Sequence, residues 1–382
     1  MTPIRVLQVF TIMDRGGAES MIMNYYRKID RSKIQFDFLV HRNKKAAYDD
    51  EIKALGGNIY KLPSINPFYP KSYYKKLRAL FDAHNDYSIV HSHINTFSCF
   101  PLKIAREFNI PCRIAHAHIA LDTFSLRTII RNNVDVSEVL KHIIKLFLRR
   151  RINKYPTHYF SCGQKAGNWL FGNTSFERMN NAIDSEKFQY NSEIEKEYKE
   201  KFNLKESIVI GHIGRFDSQK NHSFLLNIFA QLLKKNPNSK LILIGEGPLK
   251  RKIENEAKNL AIYEDIFFLG VRDDIVELLQ TMDVFVFPSI YEGLPVTLIE
   301  AQSSGTPILA ADTISEEVKI TDLIEFISLD KSPEFWAEKI MDIKKNNMPK
   351  ADTKNLIIGN GYDIISNVNK LQDFYLQQNT NK

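Results

Sequence analysis

The stretch most suited to chemistry in this chain runs from Pro288 to Pro307 and carries two acids eight residues apart, Glu292 and Glu300. Its punctuation predicts a helix. Pro295 suits a first helical position, Gly305 suits the residue past the end, and Pro307 prevents continuation. An apolar run precedes the loop, so the helix start opens at the carboxyl end of a strand. There the free amides of Leu294 to Thr297 can bind phosphate at the positive end of the helix dipole. A carboxylate beside bound phosphate is costly unless it accepts from hydroxyls. Glu292 and Glu300 therefore suit a sugar and a ribose. The alternative is a helix-capping Glu292 with a surface Glu300.

A second stretch has the same logic. Gly211-His212-Ile213-Gly214-Arg215-Phe216-Asp217-Ser218-Gln219-Lys220-Asn221 follows an apolar run and precedes an amphipathic one. Arg215 and Lys220 at a strand exit, with free amides behind them, can hold a diphosphate; singly, each is an ordinary surface cation. Near the N-terminus, Gly16-Gly17 sits between a strand and a helix. Paired glycines allow close backbone approach by an anion, although the spacing is not a dinucleotide-binding GxGxxG. His116 and His118 close another apolar run and would share one side of an extended strand. A metal pair is conceivable, but no third ligand is evident nearby, and a satisfied core histidine is the default for either one. At a strand end, a polar contact with substrate is the sharper reading.

These residues need strand ends to stand on. Apolar, β-branched runs occur at 4–10, 36–40, 88–91, 112–116 and 158–161, then at 208–213, 240–244, 266–269, 284–287 and 307–310. Amphipathic helical patterns lie between them, as at Ser223–Lys235 and Leu249–Asn259. Short unbroken apolar runs alternating with helices predict parallel sheets buried on both faces. Two such sets predict an α/β chain of two Rossmann-like, doubly wound domains facing across a cleft. The expected boundaries are 1–183 for an acceptor-binding domain, 184–205 for a charged linker and 206–360 for a donor-binding domain. The segment 361–382 is expected as a helix packing back toward the first domain.

Length and composition agree: 382 residues, 43% apolar and 25% charged, is two to three globular domains and excludes a disordered or fibrous chain. Three cysteines without CxxC spacing argue against a disulfide framework or zinc site. With neither a signal peptide nor an 18-residue apolar run, the expected location is cytoplasmic, possible peripheral contact with the inner face of the membrane included. Residues 1–180 carry a net charge of +14 and the remainder −7, which suggests different partners for the two halves. Lys141–Lys154 holds six cations and no acid, with Ile143, Ile144, Phe147, Leu148 and Ile152 at helical spacing. It reads either as a core helix with a solvated basic face or as a helix on an anionic membrane surface. No nucleic-acid module accompanies the charge, so no nucleic-acid partner is expected.

Taken together, Gly16-Gly17, Gly-Arg-Phe-x-x-x-Lys-Asn, Gly-Glu-Gly-Pro-Leu at 245–249 and Glu-Gly-Leu-Pro-x-x-x-x-Glu-Ala at 292–301 resemble the retaining, nucleotide-sugar-dependent glycosyltransferases of the GT-B fold. Within these, the family-4 type used in capsule and exopolysaccharide synthesis is most similar. The resemblance covers essentially the whole chain and is strongest over 207–312. It implies that Gly16 and Gly17 lie against donor phosphates or sugar, and that His118, or else His116, touches the transferred sugar. It implies that Arg215 and Lys220 hold the diphosphate and that Glu292 contacts sugar hydroxyls. Leu294, Pro295 and Val296 would run along the phosphates, and Glu300 would accept from the ribose. The backbone of Val271 and Arg272 would read the base, with Gly245 and Glu246 near the nucleoside. Asn181-Ala182-Ile183-Asp184 departs from the family's Asn-Gly-(Ile/Val)-Asp hinge by one alanine. The implied donor is a UDP-sugar and the implied acceptor a glycan, lipid-linked in the simplest case. No Asp-x-Asp occurs, so no metal or other cofactor is expected. The alternatives are a nucleotide-sugar epimerase of the same fold and a non-catalytic glycan-binding subunit.

Overall fold

The computed structural model describes residues 2–119, 136–346, 350 and 352–380. The chain forms two compact units: Met1–Ala182 together with Ile364–Lys382, and Ile183–Asp363. The division falls inside the Asn181–Asp184 motif.

The first unit is built on seven parallel strands: β1 (Ile4–Val9), β2 (Ile34–Val40), β3 (Ile59–Lys61), β4 (Ile89–Ser92), β5 (Cys112–Ala117), β6 (His158–Ser161) and β7 (Glu177–Arg178). Their order is β3-β2-β1-β4-β5-β6-β7. β2 is buried at every position, as expected of a strand covered by helices on both faces. Its one charge, Asp37, is matched by the Arg5 guanidinium, the Tyr87 hydroxyl at 2.6 Å and the Asn58 amide at 2.7 Å. The C-terminal helix, Ile364–Thr380, puts Ile364, Val368, Leu371 and Tyr375 into the same core as Tyr25, Tyr26, Phe36 and Phe38. The last helix thus completes a core begun by the first strand.

The second unit has six parallel strands: β8 (Ile208–Ile213), β9 (Ser239–Ile244), β10 (Ile266–Gly270), β11 (Val284–Phe287), β12 (Ile308–Ala311) and β13 (Ile324–Ile327), in the order β10-β9-β8-β11-β12-β13. Residues 184–205, expected as a linker, belong to this unit. The helix Ser192–Lys201 lies against the helix Ile275–Thr281. Its charges are not merely solvated: Lys199 Nζ is 2.7 Å from Glu195 and 3.2 Å from Asp283. A charged run thus packs because its charges have partners. The sequence does not announce strands β3, β7 and β13, which lie at sheet edges: β3 and β7 are only three and two residues long, and β13 is interrupted by the exposed Glu325, so none shows an unbroken apolar run.

In each sheet the chain leaves a central strand to one side and returns on the other. β1 lies between β2 and β4, and β8 lies between β9 and β11. The loops after β1 and β4, and those after β8 and β11, therefore diverge and leave a crevice at the strands' carboxyl ends, where ligands of such sheets bind.

Candidate functional site

The second unit gathers most of the candidate residues at that switch point. After β8 the chain makes a single helical turn, Ser218–Lys220, in which the Lys220 amide donates to Asp217 Oδ1 at 3.3 Å. Asn221 then adopts a left-handed φ of 56° and starts the helix His222–Lys235. The turn is stitched to the loop after β11. Ile290 N donates to Gln219 O at 2.8 Å, Gln219 Nε2 to Tyr291 O at 2.8 Å, and Asn221 Nδ2 to Pro288 O at 3.2 Å. Across this seam Lys220 Nζ stands 2.6 Å from Glu292 Oε1 and 4.6 Å from the centre of the Phe287 ring. The two side chains are only 15% and 10% exposed, so each is the other's main compensation for lost water. Arg215 is exposed, and among the described residues it has no ion pair.

The helix after Glu292 runs Val296–Ser303, with Pro295 at its cap, one residue earlier than the sequence suggested, and Gly305 at φ 68° past its end. Leu294 is buried beneath the helix start. Glu300 lies one turn in. Surrounded by protein, its carboxyl is pushed up from 4.5 to about 7, with Lys187 pulling the other way.

The exits of β8, β9 and β10 touch backbone to backbone. Gly245 has φ 140°, and a Cβ there would lie 2.1 Å from Gly214 O. Gly245 N donates to Gly270 O at 2.8 Å. Glu246 is tied to Lys250 at 2.6 Å. The Arg272 guanidinium is engaged by Asp274 at 2.7 and 2.5 Å, and Val271 beside it is exposed.

In the first unit Gly16 caps the helix Gly17–Lys28. A Cβ on Gly16 would sit 2.3 Å from Glu19 Oε2, whereas one on Gly17 would meet nothing within 4 Å. Burial, helped by Asp14, pushes Glu19 up from 4.5 to about 7. Glu19 was not singled out in the sequence, although an acid at the third helical position is a common N-terminal signal.

His118 follows β5 and stacks on His116 at 4.1 Å. The fold adds two more imidazoles from β4 and its exit, His91 and His93. The repeated His-x-His at 91–93 was the overlooked signal, since β4 and β5 pair in parallel with His91 opposite Ile114. Nitrogens of His91, His93 and His116 lie within 4.8 Å of one another. They are engaged, however: His91 Nε2 with His116 Nδ1 at 3.1 Å, His93 Nδ1 with His118 Nε2 at 2.9 Å, and His93 Nε2 with Gln8 Oε1 at 2.8 Å. Burial holds all four imidazoles neutral, His118 down at about 3.

The model of the family "Glycosyl transferases group 1" matches residues 194–362. EpsF of Bacillus subtilis, named as a glycosyltransferase, is 38% identical over 379 residues, covering 97% of this chain and 96% of that protein. The chain is a group 1 glycosyltransferase. A UDP-Gal:alpha-D-GlcNAc-diphosphoundecaprenol alpha-1,3-galactosyltransferase of Escherichia coli is 29% identical to it over 184 residues, 46% of this chain and 47% of that one. Among solved structures, Anabaena HepE in complex with UDP-glucose matches 98% of the glycosyltransferase with a TM-score of 0.76 at 14% identity, covering 99% of that chain. At that identity the likeness is one of fold, the GT-B arrangement of two Rossmann-like domains.

Proposed function

We propose that this glycosyltransferase moves a hexose or N-acetylhexosamine from a UDP-sugar to a polyprenyl-linked glycan, retaining the anomeric configuration, in bacterial surface polysaccharide synthesis. The observation that carries the reading is the Lys220–Glu292 pair, seated between the exits of β8 and β11 and beside the helix start at Val296. Leaving diphosphate gathers negative charge, which Lys220, Arg215 and the amides of Leu294 and Val296 stabilise without a metal, with Pro295 lying along the phosphates. Glu292 takes sugar hydroxyls, and as it does so Lys220 is released toward the diphosphate. Glu300 accepts from the ribose, Val271 and Arg272 present backbone to the base, and Gly245 and Glu246 border the nucleoside. Gly16 and Gly17 lie against the donor, and His118 contacts the transferred sugar. The donor class is supported by the UDP-glucose held by HepE, and donor and acceptor together by the name of the Escherichia coli relative.

Membrane contact is part of the reading. The helix Val136–Arg149 buries Leu148, and Ile152 just beyond it is buried too, yet Leu140, Ile143, Leu146 and Phe147 are exposed beside Lys145, Arg150 and Arg151. That combination fits a helix resting on an anionic bilayer surface. Among the described residues no helix is long and apolar enough to cross one.

The test is turnover of UDP-Glc, UDP-Gal, UDP-GlcNAc and UDP-GalNAc with an undecaprenyl-diphosphate-linked acceptor fraction. Transfer from one of them is expected; no transfer from any, together with no binding of UDP, overturns the reading.

A further inference from the structure

Six buried side chains of the first unit form one unbroken line of hydrogen bonds. His118 Nε2 meets His93 Nδ1 at 2.9 Å, and His93 Nε2 meets Gln8 Oε1 at 2.8 Å. Gln8 Nε2 donates to the Tyr375 hydroxyl at 3.3 Å, that hydroxyl meets His91 Nδ1 at 2.7 Å, and His91 Nε2 meets His116 Nδ1 at 3.1 Å. Gln8 comes from β1, His91 and His93 from β4 and its exit, His116 and His118 from β5 and its exit, and Tyr375 from the last helix. The line ends at His116 Nε2, which has no partner among the described residues.

Each neutral imidazole has one N–H, so each bond dictates the next. In the orientation the Gln8 amide takes here, Oε1 faces His93 and can only accept, so with this orientation His93 Nε2 carries the hydrogen. His93 Nδ1 is then a bare lone pair, and the hydrogen between the two rings must sit on His118 Nε2. His118 Nδ1 is left without a hydrogen, and among the described residues no hydrogen bond satisfies it. In the other direction, the Gln8 amide donates to the Tyr375 oxygen, so the Tyr375 hydrogen turns to His91 Nδ1 and His91 Nε2–H to His116. Turning the Gln8 amide over would reverse every bond in the line at once.

We infer that Gln8 and His93 are positioning residues that fix the tautomer of His118, so that Nδ1 accepts a hydrogen bond from a hydroxyl of the transferred sugar. The role of Nδ1 rests on the proposed sugar contact of His118; the tautomer itself does not. A free neutral His118 side chain would favour the Nε2–H form yet still populate both tautomers and present Nδ1–H part of the time. Setting it beforehand removes that cost from sugar binding. Gln8 thereby also links the sugar contact to the C-terminal helix through Tyr375.

The tautomer is read directly from the full-length protein labelled with 15N-histidine, the His118 signals being assigned by their loss in H118Q. Without ligand, His118 is expected to show a protonated Nε2 and a bare Nδ1. A protonated Nδ1, an even mixture, or histidine signals displaced by zinc alone would overturn the inference. In Q8M, which keeps the volume but removes the acceptor, His118 should lose its single tautomer. An unchanged tautomer there would show that Gln8 does not set it. The sugar arm uses deoxyfluoro forms of the UDP-hexose that is turned over, since fluorine cannot donate. One of them should lower kcat/KM roughly tenfold in the natural protein, and that penalty should shrink in Q8M. An equal penalty in both proteins refutes the role of Nδ1. Absence of all turnover refutes the proposed function while the tautomer result stands.

Discussion

Lys220 and Glu292 are 72 residues apart in sequence and 2.6 Å apart in space, two mostly buried opposite charges joining the exits of β8 and β11. Removing one leaves the other without its partner. K220M and E292Q should each lose about 1–3 kcal/mol of stability in chemical denaturation, and the double variant should lose less than the sum. Transfer should fall by about 10²–10³-fold in all three. A double variant that regained activity along with stability would mean the pair is structural only.

Glu300 should make donor binding depend on pH. Its folded value near 7 is above the ordinary 4.5, so the folded state holds more protons between them and this group's contribution to stability declines as pH rises through that window. Accepting from ribose hydroxyls favours the ionised form. UDP should therefore bind about tenfold more tightly at pH 8 than at pH 6, and E300Q should bind weakly with a flat profile, both measurable by calorimetry. A wild-type profile that stays flat contradicts the assignment of this acid to the nucleotide.

The adjacent glycines should separate fold from function. In G17A the new methyl enters open space at a first helical position, so the melting temperature should hold or rise, as Ala is favoured over Gly by up to about 1 kcal/mol. Its transfer rate should nevertheless drop, since the methyl occupies the donor's approach. In G16A the methyl displaces the end of the Glu19 side chain and puts Ala at a helix cap that favours Gly, so stability should fall as well. Full activity in G17A would remove this loop from the donor site.

The basic helix can be tested by flotation with anionic vesicles. Each nearby cation contributes about 1 kcal/mol, so K145Q and R150Q should each weaken binding roughly fivefold at low salt. F147S should weaken it even at high salt, where screening removes the electrostatic part. Equal binding to neutral vesicles would remove the electrostatic account, and no binding to either would discard the membrane reading for this helix.

Much of this protein was legible in one dimension. Most of the ten strands that were expected are ones whose burial on both faces demands short unbroken apolar runs, and together they imply two parallel sheets. The chemistry at 214–221 and 292–300 was legible because phosphate binding uses local features: a strand exit, free amides and nearby cations. Position along the chain could not show that Lys220 spends its charge on Glu292, because that contact depends on two loops diverging from adjacent strands. Nor could it show that 184–205 packs rather than links, since a charged run looks the same solvated or paired.

The histidines mark the boundary most clearly. Period-two alternation sufficed to put His116 and His118 on one side of a strand. Only the parallel pairing of β4 with β5, and of β4 with β1, brings His91, His93 and Gln8 into line with them, and only the return of the chain's last helix supplies Tyr375. Local spacing determines which groups are offered. Which nitrogen carries a hydrogen is decided by partners up to 367 residues away, where burial leaves no water to satisfy a mistaken choice.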